Sequence, residues 1–173
     1  MAAILNLRAV AEIRESVEND LGSAAQRHRI EYPGSLRSEE HATGTGNYQQ
    51  DLTWSDRRTL TATSEQLDLR GVLTAAIGGA ALDLVEVRGI FIVNRSTTAA
   101  SVLLIGGGAN PAFAGLFGAT GDIIKVPAGG CLLWHAPLDG GGLATTGSTA
   151  DMLTVDSGAA TIIYDIAIWG VSA

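Results

Sequence analysis

The chain has 173 residues, a single cysteine and a formal net charge of −7. A domain of this length buries enough surface to fold without a disulfide or a metal, and the lone Cys131 excludes an intrachain bridge. The acidic balance argues against nucleic acid as a partner, because phosphate neutralisation needs clustered Lys and Arg, and the densest basic cluster is Arg27-His28-Arg29.

At the N-terminus, Met1 to Leu7 lacks a basic start, and Arg8, Glu12, Arg14 and Glu15 interrupt any apolar core, so no secretory leader is expected. No run is long and apolar enough to span a bilayer, and no membrane partner is expected. Apolar residues at Ile4, Leu7, Val10, Ile13, Val17 and Leu21 recur every three or four positions. This spacing predicts an amphipathic α-helix from about Asn6 to Leu21, capped by Asn6 and stopped by Gly22. Such a helix is marginal alone, so its stripe must dock on the body, a sister subunit or another protein.

From Ser23 to Asp56 the sequence is polar and aperiodic, with turn signals at Pro33-Gly34 and Thr43-Gly44-Thr45-Gly46-Asn47; only Arg29 to Tyr32 reads as a strand. It reads as an extended arm that becomes ordered on a partner. Residues 1–56 are thus assigned to a helix and arm, and 57–173 to a β-domain.

Past Asp56 short apolar or alternating runs are separated by glycine-rich turns. Eight strands are predicted: Arg58 to Ala62, Glu65 to Leu69, Leu84 to Asn94, Ser101 to Ile105, Asp122 to Val126, Cys131 to His135, Met152 to Val155 and Thr161 to Trp169. Gly71 to Ala81 and Pro111 to Phe117 could each hold a short helical turn. The expected fold is all-β, an antiparallel sandwich or jelly roll with an N-terminal α-helix and extended arm.

Strict alternation in Leu84 to Asn94 puts Val85, Val87, Gly89, Phe91 and Val93 on one face and Glu86, Arg88, Ile90, Ile92 and Asn94 on the other. The second face is half charged and half apolar, as if a neighbouring subunit overlapped part of it. In the last strand Ile162, Tyr164, Ile166 and Ile168 form an almost wholly apolar side, which predicts a central position. Cys131, within Cys131-Leu132-Leu133-Trp134, is expected to be a small buried hydrophobe.

Charge is distributed unevenly. Residues 66–173 carry only twelve of the twenty-nine charged side chains, and Lys125 is the only lysine. A β-domain this bare is expected to cover part of its exterior with copies of itself or a larger surface, as an assembly component does.

Motifs for chemistry are incomplete. Gly106-Gly107-Gly108, Gly118 to Gly121 and Gly140-Gly141-Gly142 lack the Gly-Lys-Ser/Thr ending of a phosphate loop. His28, His41 and His135 have no second His or Cys at metal-ligand spacing, and there is no Gly-x-Ser-x-Gly elbow. His135 is expected to be hydrogen-bonded and partly buried. Most of the body's carboxylates sit beside turns or strand ends, where Asp caps backbone. The expectation is no catalytic residue, no cofactor and no metal.

Several phrases together resemble a group of small tailed-phage virion proteins: Trp54-Ser55-Asp56-Arg57-Arg58-Thr59-Leu60, Leu67-Asp68-Leu69-Arg70-Gly71-Val72-Leu73, Phe91-Ile92-Val93-Asn94, Leu103-Leu104-Ile105-Gly106-Gly107, Val126-Pro127-Ala128-Gly129-Gly130 and Tyr164-Asp165-Ile166. The likeness runs from about Thr43 to Gly170. That group comprises capsid decoration, or cement, proteins of jelly-roll type and related head-fibre modules. The resemblance implies a non-enzymatic virion protein on the capsid surface, made in the host cytoplasm, that binds the major capsid protein and stabilises the head. Trimers suit the three-fold positions of a capsid lattice. On this expectation Leu7, Val10, Ile13 and Val17 anchor the arm, and Trp54 pins its junction or serves as a core lid. A tail, adaptor or vertex-fibre subunit is the alternative within virions, and a carbohydrate-binding host-attachment module is the alternative outside assembly.

Overall fold

The computed structural model describes residues 5–8, 14–17, 26–29, 38–74, 81–108 and 112–172. Among them every regular element is a strand, numbered here in chain order. The N-terminal strands are β1 (Leu5–Arg8), β2 (Arg14–Val17), β3 (Gln26–Arg29), β4 (Ser38–Thr43) and β5 (Gln49–Gln50). The body contains β6 (Leu52–Thr61), β7 (Ser64–Asp68), β8 (Arg70–Thr74), β9 (Ala81–Asp83), β10 (Glu86–Asn94) and β11 (Leu103–Gly106). It continues with β12 (Ile123–Val126), β13 (Cys131–His135), β14 (Leu143–Ala144), β15 (Met152–Asp156) and β16 (Thr161–Val171).

Two antiparallel sheets dominate. The first runs β13-β10-β16-β6, with β14 also on β10, and the second runs β12-β11-β15-β7. All eight strands expected from the sequence are present, and β16 is central, between β10 and β6. Ile90 and Ile92 of β10, and Ile162, Tyr164, Ile166 and Ile168 of β16, share one buried cluster with Leu67, Leu103, Ile105, Leu153 and Val155 of the second sheet. Each such aliphatic, fully withdrawn from water, contributes about 1.5 to 3 kcal/mol. Asn94 lies within this core with its donors used: Nδ2 donates to the carbonyls of Ser101 (2.8 Å) and Val126 (3.0 Å), tying the two sheets together.

The N-terminal helix is corrected at the positions described. Leu5–Arg8 and Arg14–Val17 are strands, paired antiparallel with β4 and β3, while residues 9–13 and 18–21, Val10 and Ile13 among them, lie outside the described residues. Spacing of apolar residues alone does not hold a four-turn helix, and interstrand pairing satisfies the same backbone groups. The short strand expected at Arg29 to Tyr32 appears earlier, as Gln26–Arg29. The helical turn expected in Gly71 to Ala81 is replaced, at its described ends, by β8 paired with β9. Residues 112–117 form a bridge and a turn closed by Phe117 N–H donating to Ala114 O.

Strict alternation also fails in β10. The pairing with β16 shifts register between Val87 and Gly89, a β-bulge centred on Arg88. Before it Val87 faces the core; after it Ile90, Ile92 and Asn94 do. Glu86, Arg88, Gly89, Phe91 and Val93 therefore share the outer side. The half-charged, half-apolar face expected from the sequence is a parity slip within one strand, and needs no overlapping neighbour.

Candidate functional site: the outer face of the first sheet

Strand registers place the side chains of this face in rows. One row is Leu133, Phe91, Ala167 and Ser55; the next is Cys131, Val93, Asp165 and Arg57. Ile163 and Thr59 follow, with Arg95 just past the end of β10. Directly opposed side chains on neighbouring strands lie about 5 Å apart at Cβ, so Leu133 stands beside Phe91 and Cys131 beside Val93, the two pairs being successive rows of one face. Phe91 is 37% exposed, Leu133 38% and Ile163 44%. Cys131 is exposed, correcting the expectation of burial: on edge strand β13 it is Leu132 and Trp134 that turn inward, and Cys131 takes the opposite parity.

The patch is bordered by one ion cluster. Arg57 donates from Nε and Nη2 to the two oxygens of Asp165 at 2.6 and 3.0 Å, and Arg95 Nε donates to Oδ2 at 2.7 Å. Hydrogen bonding from Arg57, seconded by Arg95, holds the Asp165 carboxyl down at about 2. Two cations share one carboxylate, and Asp56 beside them accepts the Arg57 N–H and pairs with Arg58. Beside it a shallow depression of about 440 Å³ is lined by Ser55, Phe91, Asp165 and Ala167 among others.

The other end of the face is closed. Trp169 lies over Gly89, where an added Cβ would stand 2.0 Å from the indole, so only glycine fits under the ring. His135 packs against Trp169 with ring centroids 5.7 Å apart. His135 Nδ1 sits 3.0 Å from the Arg88 carbonyl oxygen, which can only accept, so Nδ1 carries the proton. This meets the expectation of a hydrogen-bonded, partly buried histidine.

Arg88 itself is fully buried. Its guanidinium donates to the carbonyls of Thr45 (2.7 Å), Gly46 (2.5 Å) and Gln49 (2.9 Å), and to the carboxylates of Glu86 (3.1 Å) and Asp139 (3.0 Å). Residues 44–51 are thereby strapped across the sheet end. Tyr48, in the left-handed region at φ 55°, donates its N–H to Pro137 O at 2.7 Å, and Asp139 N–H donates to Asn47 Oδ1 at 2.9 Å. The strap converts the turn signal Thr43-Gly44-Thr45-Gly46-Asn47 into a fixed element. Sequence reasoning saw Arg88 only as a charge on a mixed face; its one clue was the neighbouring Gly89.

At the β6 edge, Arg58 bridges Asp56 and Glu65, and Tyr164 Oη donates to Glu65 Oε1 at 2.6 Å. Burial, reinforced by the Glu65 hydrogen bond, pushes the Tyr164 phenol far up. Other carboxylates cap backbone as expected: Asp68, Asp122, Asp151 and Asp156 accept N–H groups of Arg70, Ala119, Ser148 and Gly158. Among the described residues no group of three His, Cys, Asp or Glu side chains is placed to hold a metal ion.

Of the five interaction residues expected from the sequence, Leu7 falls in β1 and Val17 in β2, whereas Val10 and Ile13 lie outside the described residues. Trp54 lies within β6, 5% exposed, opposite Ile168 in the core. The exposed patch of Phe91, Leu133 and Ile163 was not among the expected sites. No protein-family model, curated protein or solved structure matches the chain.

Proposed function

We propose that the chain is a structural virion protein of a tailed phage: a decoration, or cement, protein that sits on the capsid surface, binds the major capsid protein and stabilises the head as a homotrimer. The observation that carries this reading is the apolar patch of Phe91, Leu133, Val93 and Cys131, partly open to water on a body poor in charge, with exposed Ile163 beyond the Asp165 ion cluster. Apolar surface of this kind marks a protein contact. The arginine-rich rim adds a polar border of the sort that fixes orientation around an apolar contact.

On this reading the body is a jelly roll. Counting only the eight strands expected from the sequence, the sheets run 6-3-8-1 and 5-4-7-2. That order is the double Greek key of jelly rolls, an architecture common in viral capsid domains, and it supports the likeness drawn from the sequence. The N-terminal stretch, with Leu7, Val10, Ile13 and Val17, supplies further contacts to the shell, and the strap at residues 44–51 fixes where that stretch joins the body.

Two measurements test the proposal. Quantitative mass spectrometry of purified particles should count this chain in step with the shell protein; a small fixed ring, as in a tail or vertex, or absence from the particle overturns it. Cys131 is a built-in reporter, since a maleimide should label it readily in isolated monomer and slowly in the assembled particle. Equal labelling in both would show that the patch is not the contact.

A further inference from the structure

The outer face of the second sheet carries a separate concavity of about 510 Å³. Its walls are strand side chains and a glycine backbone. By the registers of β11 with β12 and β15, Ile123, Gly106, Thr154 and Gln66 form one row, and Lys125, Leu104, Asp156 and Ser64 the next. Gly106, with φ of +99°, bends the chain so that Gly107 and Gly108 pass beside Ile123 and Thr154 as a backbone wall, while Phe117 and the Asp122 carbonyl fill the position a Cβ would take at Gly106.

The chemistry of the lining is selective. Asp156 uses Oδ1 to accept from Gly158 N–H, and its Oδ2 accepts from no described residue. Gln66 and Ser64 line the hollow with their side-chain hydrogen-bonding groups unspent by any described residue. Thr154 Oγ1 is buried in the wall with no hydrogen-bond partner among the described residues, a condition native structures rarely leave unanswered. Opposite these groups stand two aliphatic surfaces, Leu104 and the 45%-exposed Ile123. Glu65, at the margin, is already engaged by Arg58 and Tyr164.

We propose that this hollow is a binding site for a neutral saccharide, one pyranose unit deep. A sugar ring presents hydroxyls on its rim and C–H groups on its faces, which matches Asp156, Gln66 and Ser64 on one side and Leu104 and Ile123 on the other. The free carboxylate disfavours an anionic ligand, and the polar share of the lining disfavours a purely apolar one. The inference is independent of the proposed capsid role. The two sheets share a core, so their outer faces look away from each other, and assembly through the Phe91 patch leaves this hollow open.

The test uses the purified full-length chain and saturation-transfer NMR with methyl glucoside, methyl galactoside and N-acetylglucosamine, each also presented as the terminal unit of an immobilised oligosaccharide. Saturable binding of at least one probe is expected. It should weaken at least tenfold in Asp156→Asn and in Gln66→Ala and persist in Phe91→Asp, with circular dichroism showing each variant folded. Ser64→Ala serves as the second variant if Asp156→Asn does not fold. Binding only to the immobilised form identifies a polysaccharide end as the source, and binding to both a free sugar. No binding of any probe at high millimolar concentration, or binding indifferent to the hollow variants, overturns the inference. Loss of binding in Phe91→Asp but not in Asp156→Asn would also overturn it, by moving the site to the other face.

Discussion

Replacing Arg88 by methionine keeps most of the aliphatic stem and removes the five hydrogen bonds of the guanidinium. If the strap stayed in place, the Thr45 and Gln49 carbonyls would lose their Arg88 donor, at about 1 to 3 kcal/mol for each left unpaired, while Gly46 O would keep the Gln49 N–H at 3.2 Å. Glu86 would keep its bonds from the N–H groups of Gly142 (2.9 Å) and Gly140 (3.3 Å). The strap has an escape, because it can lift and let water solvate those carbonyls. Lifting gives up the remaining ties from Tyr48 to Pro137, Asp139 to Asn47 and Asp51 to Gly170. Each is worth about 0.5 to 1.5 kcal/mol net. The cheaper route sets the cost, so the loss of global stability is expected at about 3 kcal/mol, towards the lower end for breaking a buried ion pair. Urea unfolding followed by far-UV circular dichroism measures that loss. Hydrogen exchange reads the route, since the Tyr48 and Asp139 amides should lose protection while Ile92 and Ile166 keep it. A loss below 1 kcal/mol with the Tyr48 amide still protected would refute the account of Arg88 as the clamp.

Three shorter tests follow from the same geometry. For the proposed homotrimer, Phe91→Asp with Leu133→Asp should leave the monomer folded and abolish self-association in sedimentation equilibrium, because each large apolar side chain withdrawn from an interface forfeits about 1.5 to 3 kcal/mol, at least tenfold in affinity. Gly89→Ala drives a methyl into the Trp169 ring and should destabilise by about 1 to 3 kcal/mol with a red shift in tryptophan emission; an unchanged spectrum and stability would contradict the packing. Asp165 titrates near 2, below the ordinary value of about 3.9, so its contribution is complete above about pH 4 and fades as pH falls through 2. Carboxyl NMR should show the midpoint rising towards the ordinary value in Arg57→Ala, and no rise would mean that Arg57 is not the main cause.

Much of the body was legible because its signals are local and repeated. The alternation of Ile162, Tyr164, Ile166 and Ile168 against Ile163, Asp165 and Ala167 announces both a strand and its buried side, and glycine-rich turns mark where each strand stops. What escaped depended on single residues with no pattern of their own. A bulge needs one extra residue, and Val87-Arg88-Gly89 reads as ordinary alternation until its partner strand is known. The three-to-four spacing between Leu7 and Val17 is compatible with a helix, yet four-residue strands are too short to show a period of two. The exposed patch was half visible: parity groups Phe91 with Val93 correctly, but joining them to Leu133 and Ile163 takes knowledge of which strands are neighbours. The saccharide hollow gave no signal beyond a glycine run, since its walls come from strands far apart in sequence.

The bulge at Arg88 constrains how this strand tolerates change. Residues upstream and downstream of it are one step out of phase, so removing a residue between Gly89 and Asn94, or adding one, would turn Ile90 or Ile92 to solvent and draw a charged or bulky neighbour inward. Point replacements are survivable there, whereas a single-codon deletion is not. The turn at residues 97–100, exposed and between strands, is where length can vary freely, and an epitope or label inserted at that turn would leave both sheets intact.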